Sequence, residues 1–103
     1  MSGYILEQNG NQCLVKLEGD LTATVIPDLQ SDLKKQMDQG ASEFVFDLEN
    51  TVMLDSTGIG LLIAARNSIT SKGGMLRVNS VSQDIFRLLQ NMRLVSRLNV
   101  SGR

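Results

Sequence analysis

The spacing of apolar and polar positions divides the chain into short strands and amphipathic helices. Cys13, Val15 and Leu17 alternate with Lys16 and Glu18, which predicts a half-buried strand over residues 13–18. A short apolar run at residues 4–6 precedes it. The turn residues Asn9, Gly10 and Asn11 lie between them, so the two runs read as a hairpin. Ile26, Leu29, Leu33 and Met37 then recur at steps of three and four, one face of a helix. Pro27 suits its first turn and Gly40 its C-cap. Residues 44–48 form an apolar run broken only by Asp47, which predicts a central strand buried on both faces.

Residues 50–55 read as a connecting loop and residues 56–72 as a second helix. Ile59, Leu62, Ile63 and Ile69 form its inner face, and Gly73-Gly74 stops it. Residues 75–78 predict another strand, and residues 79–82 supply turn and capping groups. Ile85, Leu88, Leu89 and Met92 mark the inner face of a third helix. Residues 94–100 fit either a last strand or a frayed helix, and residues 101–103 read as a tail. The order β-β-α-β-α-β-α predicts one α/β domain over residues 1–103. It has an N-terminal β-hairpin, a mixed sheet with a parallel centre, and helices packed on it through right-handed crossovers. Met37, Met75 and Met92 fall on apolar faces or element starts and are expected in the core, whereas Lys34-Lys35 is a solvated face.

Composition narrows the function. The 103 residues are 42% hydrophobic and 20% charged, enough for one core. Ten basic against eleven acidic residues leave a net charge of −1, which argues against a nucleic-acid binder or a basic membrane-surface binder. Four aromatics and no tryptophan provide no stacking platform for single strands. No apolar run approaches the ~20 residues that span a bilayer. The start, Met1-Ser2-Gly3-Tyr4, has neither a charged lead nor an apolar signal core. The expectation is a cytoplasmic protein with no membrane insertion. There is no histidine, the commonest general base and metal ligand near neutral pH. The single cysteine, Cys13, reads as a small buried hydrophobe. Neither a cofactor nor a metal site is expected.

The informative segment is Asp55-Ser56-Thr57-Gly58-Ile59-Gly60, where the central strand feeds the second helix. Asp, Ser and Thr at a helix start are ordinary capping residues. Gly58 and Gly60, however, each cost a helix up to ~1 kcal/mol relative to Ala. Two such costs in one turn point to close packing or a docking surface. The segment has no Walker A spacing, no G-x-G-x-x-G and no G-x-S-x-G elbow, and no histidine is present to activate a serine. An enzyme such as a nucleotide hydrolase using Asp55 and Ser56 is therefore disfavoured. Asp20 and Asp55 can either contact a basic patch on a partner or cap turns, and Asp47 is expected to satisfy loop N–H groups.

These residues carry a resemblance that runs nearly end to end. The chain resembles STAS domains of the anti-sigma factor antagonist type. Gly19-Asp20-Leu21 resembles the family's Gly-acid-aliphatic turn, residues 44–48 its central strand, and residues 55–60 its signature Asp-Ser-[Ser/Thr]-Gly-[Leu/Ile]-Gly. The resemblance implies a protein that binds a serine kinase acting as an anti-sigma factor. ATP-dependent phosphorylation of Ser56, with Thr57 as second choice, would release the partner, and a serine phosphatase would restore binding. The partner-binding set it implies is Asp20, Asp55, Ser56, Thr57, Gly58, Ile59 and Gly60. A soluble STAS subunit of a lipid-transport or stress-signalling complex is the alternative. The chain departs from the family pattern twice. Thr22 stands where many members have Asp, and Asn91-Met92-Arg93-Leu94 lacks the usual glycine, which implies different packing of the last element.

Overall fold

A computed structural model describes residues 3–102; Met1 and Ser2 at the start and Arg103 of the expected tail lie outside them. The chain forms β1 (Tyr4–Asn9), β2 (Gln12–Leu17), α1 (Ile26–Asp38), β3 (Glu43–Asp47), α2 (Ser56–Ser71), β4 (Met75–Val81), α3 (Gln83–Asn91) and β5 (Val100–Gly102). The strands lie side by side in chain order, β1-β2-β3-β4-β5. The β1–β2 pair is antiparallel and every later pair is parallel. The expected mixed sheet with an N-terminal hairpin is thus the observed one. Gly10 has φ +65°, and with Asn11 it forms the two-residue loop that Gly at the first central position favours.

Sequential parallel strands joined by right-handed crossovers place every helix on the same side of the sheet. The burial pattern follows. Cys13, Val15, Phe44, Phe46, Leu76 and Val78 point into one core with no exposed surface or almost none. On the other face the register aligns Leu14, Val45 and Arg77, and none of the three is buried. The expectation that the central strand is buried on both faces is therefore corrected. β3 has one buried face, because no helix covers the second. α2 packs against both β4 and α1. Leu61 and Leu62 are both buried, so its inner surface is wider than one stripe.

Burial raises the Cys13 thiol pKa above its usual value. The Tyr4 hydroxyl donates to Asp32 of α1. Burial first, then that hydrogen bond and the Asp32 charge, push the phenol up.

All three helices end in the same way. The N–H groups of Ala41, Gly74 and Leu94 reach back to the carbonyls of Gln36, Ile69 and Leu89 at 3.0, 2.9 and 2.8 Å. The residue before each, Gly40, Gly73 or Arg93, has positive φ. This is the Schellman closure, which favours glycine. The closure that such a glycine favours is thus kept without it. Arg93 adopts φ +59° itself, and the buried Leu94 and Leu98 follow in the core. Other sequence expectations shift at the edges. β4 continues to Val81 through an irregularity around Ser80, and residues 94–99 are turns leading to β5 rather than a full strand or helix. The expected tail includes β5, because Gly102 pairs with Val81. Met75 is 43% exposed, and Leu88 and Met92 are 37% and 46% exposed. These three do not join the core. Met75 lies on the uncovered sheet face, and α3 buries only Ile85 and Leu89.

Left-handed backbone costs a non-glycine residue roughly 1–2 kcal/mol, partly offset by glycine's greater unfolded-state entropy. Arg93→Gly should therefore stabilise the fold by about 1 kcal/mol, raising Tm by roughly 4–8 °C in calorimetry. No increase would mean that the arginine side chain contributes stability the structure does not reveal.

Candidate functional site

The site forms at the carboxyl end of β3, where open α/β sheets carry their functional loops. β3 ends at Asp47, whose carboxylate accepts the Glu49 N–H at 2.9 Å, the loop-satisfying role expected of it. The chain then forms a short arch. Thr51 and Leu54 are buried at its feet, at 0% and 5% exposure, while Val52 and Met53 stand out at 72% and 68%.

Three contacts fasten this arch to the turn after β2. The Thr51 hydroxyl donates to the Gly19 carbonyl at 2.9 Å. The Asp20 carboxylate accepts the N–H groups of Val52 and Met53 at 2.9 and 3.1 Å through the same oxygen. Leu21 is buried beside Gly58. A Cβ on that glycine would lie 2.9 Å from the Leu54 side chain and 3.2 Å from the Leu21 carbonyl. Gly58 is thus small because this chain's own turn packs against it. Gly60 differs: it is exposed, and a Cβ there would meet nothing within 4 Å.

Asp55 caps α2, accepting the Gly58 N–H at 2.9 Å. Such a cap contributes about 1 kcal/mol. It also leaves the next two hydroxyls without a structural duty. Ser56 and Thr57 occupy the first two helical positions, both exposed, and the Ser56 hydroxyl makes no hydrogen bond among the described residues. Their position in the first turn, where backbone N–H groups lack helical partners and the dipole is positive, tolerates added negative charge.

The sequence-derived set therefore divides. Asp20, Asp55, Ser56, Thr57 and Gly60 are all exposed. Gly58 and Ile59 are buried. Asp20 has a structural duty as well as a surface position. Val52 and Met53 were missed. The available signal was a pair of large apolar residues inside a segment too irregular to be a strand. No group of three or more metal-ligating side chains occurs among the described residues, and no helix there is long and apolar enough to cross a membrane.

Comparison with known proteins gives a consistent result. The family model of the STAS domain matches residues 4–101. The anti-sigma-B factor antagonist of Staphylococcus aureus is 29% identical over 87 residues, covering 84% of this chain and 81% of that protein. A putative anti-sigma factor antagonist from Thermotoga maritima has the same fold, with TM-score 0.87 at 15% identity over 97% of this chain and 86% of that one. So does the Bacillus cell fate determinant SpoIIAA in its phosphorylated form, with TM-score 0.79 at 17% identity over 97% and 91%.

A pair of hydrogen bonds to one exposed carboxylate contributes on the order of 1 kcal/mol. Asp20→Ala should therefore speed amide hydrogen exchange at Val52 and Met53 by about fivefold while leaving the core amides protected. Asp20→Asn, which keeps an acceptor oxygen, should recover part of that protection. Unchanged exchange in Asp20→Ala would show that the arch is held without the carboxylate.

Proposed function

The chain belongs to the STAS domain family, and we propose that within it the protein is an anti-sigma factor antagonist switched by phosphorylation of Ser56. It is a regulatory binding module rather than an enzyme. In its unmodified form the arch of Val52 and Met53, the Asp20 turn and the first turn of α2 dock on a serine kinase that also serves as the anti-sigma factor. The kinase transfers the γ-phosphoryl group of ATP to the Ser56 Oγ. The new P–O bond forms as the bond to ADP breaks, and the hydroxyl proton passes to a base on the kinase. A serine phosphatase hydrolyses the phosphoester and resets the switch. The setting is the cytoplasm, where ATP and the transcription machinery are found.

The observation that carries this reading is the division of labour at the start of α2. Asp55 caps the helix, so the Ser56 hydroxyl is exposed and uncommitted. A kinase reaches it without unfolding the domain. The exposed apolar pair beside it supplies the contact area that a transient partner needs. The relatives named as antagonists, and the solved phosphorylated form of SpoIIAA, support the same assignment.

The energetics suit a switch that leaves the fold intact. Phosphoserine adds about −1.5 to −2 charges near neutral pH. The N–H groups of the first turn favour it and the adjacent Asp55 carboxylate opposes it. A docked partner must exclude or desolvate the dianion, and this penalty falls on binding. A hundredfold loss of affinity requires only ~2.7 kcal/mol. Thr22 contributes a hydroxyl where many family members carry a carboxylate, so Asp20 and Asp55 supply the negative charge of the docking face.

Ser56→Ala should bind the kinase continuously and accept no phosphate at position 56, and Ser56→Asp should bind at least about 100-fold more weakly in calorimetry. Mass spectrometry after incubation with kinase and ATP should find one phosphate, on Ser56. Equal affinity of the two variants would remove Ser56 from the switch, and phosphate found only on Thr57 would move it by one residue.

A further inference from the structure

Charge is segregated along this chain. Residues 36–65, which include the arch, contain no lysine or arginine, and residues 85–102, which include most of α3, contain no aspartate or glutamate. Up to residue 76 there are five basic and ten acidic residues. From residue 77 onward there are five arginines and one aspartate. The near-neutral total thus conceals a net charge of −5 on the first part and +4 on the second.

Each of these sequence regions contains an exposed apolar pair. Val52 and Met53 project between Asp20 and Asp55, each carboxylate held in place by backbone N–H groups. Leu88 and Met92 are four residues apart, on one face at the C-terminal end of α3, and are exposed. Arg87 and Arg93 are exposed neighbours of that pair in sequence, and the region's one aspartate, Asp84, is exposed one turn before Leu88. The two patches lie on different elements of the fold. The arch follows the carboxyl end of β3. α3 starts beyond the carboxyl end of β4 and runs back toward the level of Val78, where β5 begins.

We propose that the α3 patch is a docking surface for the arch of a second copy of this chain. The charge pattern selects that occupant. Like patches repel across a two-fold axis, whereas unlike patches attract, with apolar pairs meeting at the centre and opposite charges at the rim. The contact is head-to-tail, so it leaves an unused arch at one end and an unused α3 at the other. It is weak, because each patch is small. It also uses the surface assigned above to the kinase, so self-association and partner binding compete. The inference concerns the protein alone and holds whatever partner the arch serves.

Sedimentation equilibrium tests it directly. The weight-average mass of the purified protein should rise with concentration toward ~1 mM at low salt. It should return to the monomer value near 1 M salt, where the Debye length is about 3 Å. The double variant Val52→Ser, Met53→Ser loses the head, and the double variant Arg87→Glu, Leu88→Gln loses the tail. Each should self-associate at least about tenfold more weakly than the native chain. Mixed together, they should form a 1:1 dimer that grows no further, since one retains a tail and the other a head. Circular dichroism melting of each variant establishes that both are folded. A native chain that remains monomeric at low salt overturns the proposal. So does association of the native chain that salt strengthens, or folded variants that do not combine.

Discussion

The site depends on a carboxylate that spans two loops. The Asp20 carboxylate accepts two consecutive N–H groups from the arch, and the Thr51 hydroxyl returns a bond to Gly19. Without these ties, the segment between β3 and α2 would be a loop with two large apolar side chains and no reason to hold one shape. With them, the chain displays Val52 and Met53 outward while burying Thr51 and Leu54 on either side. The turn after β2 and the loop after β3 can meet because their strands are parallel neighbours in register, with Lys16 opposite Asp47. The sheet topology is therefore a precondition of the arch's shape.

The glycines of the signature illustrate how one residue type serves different ends. Gly58 is small because Leu21 and Leu54 occupy the space a side chain would need. Gly60 faces open space, so internal packing does not require its smallness. A bare stretch of helix backbone is left beside Ser56. The helix cost of Gly58 is thus offset by close internal packing, whereas that of Gly60 is offset by nothing inside the fold.

Periodicity made most of the fold legible. Strand alternation at residues 13, 15 and 17 and helical spacing from Ile26 onward both identify residues that the structure buries. The pattern failed where burial depends on what lies opposite. The run at residues 44–48 gave no hint that only one face of the sheet would be covered, because that follows from the order of all five strands. Leu88 and Met92 fit a helical stripe, but α3 turns only Ile85 and Leu89 into the core. At the site, Asp55 and Ser56 were visible because capping chemistry is local. The arch was not visible, since its shape is set by a turn about thirty residues earlier. Arg93 shows the reverse case. A missing glycine suggested altered packing, yet the backbone closure persisted at a cost in conformational strain.

The strictly sequential order of the strands has a consequence for biosynthesis. Each strand from β2 onward pairs with the one made just before it, and none is inserted between two earlier strands. A nascent chain can therefore lay down its sheet in the direction of translation, hairpin first, each α-helix closing over the edge to which the next strand will add. Such growth avoids long waits for distant partners, which slow the folding of many β-rich chains and leave them open to aggregation.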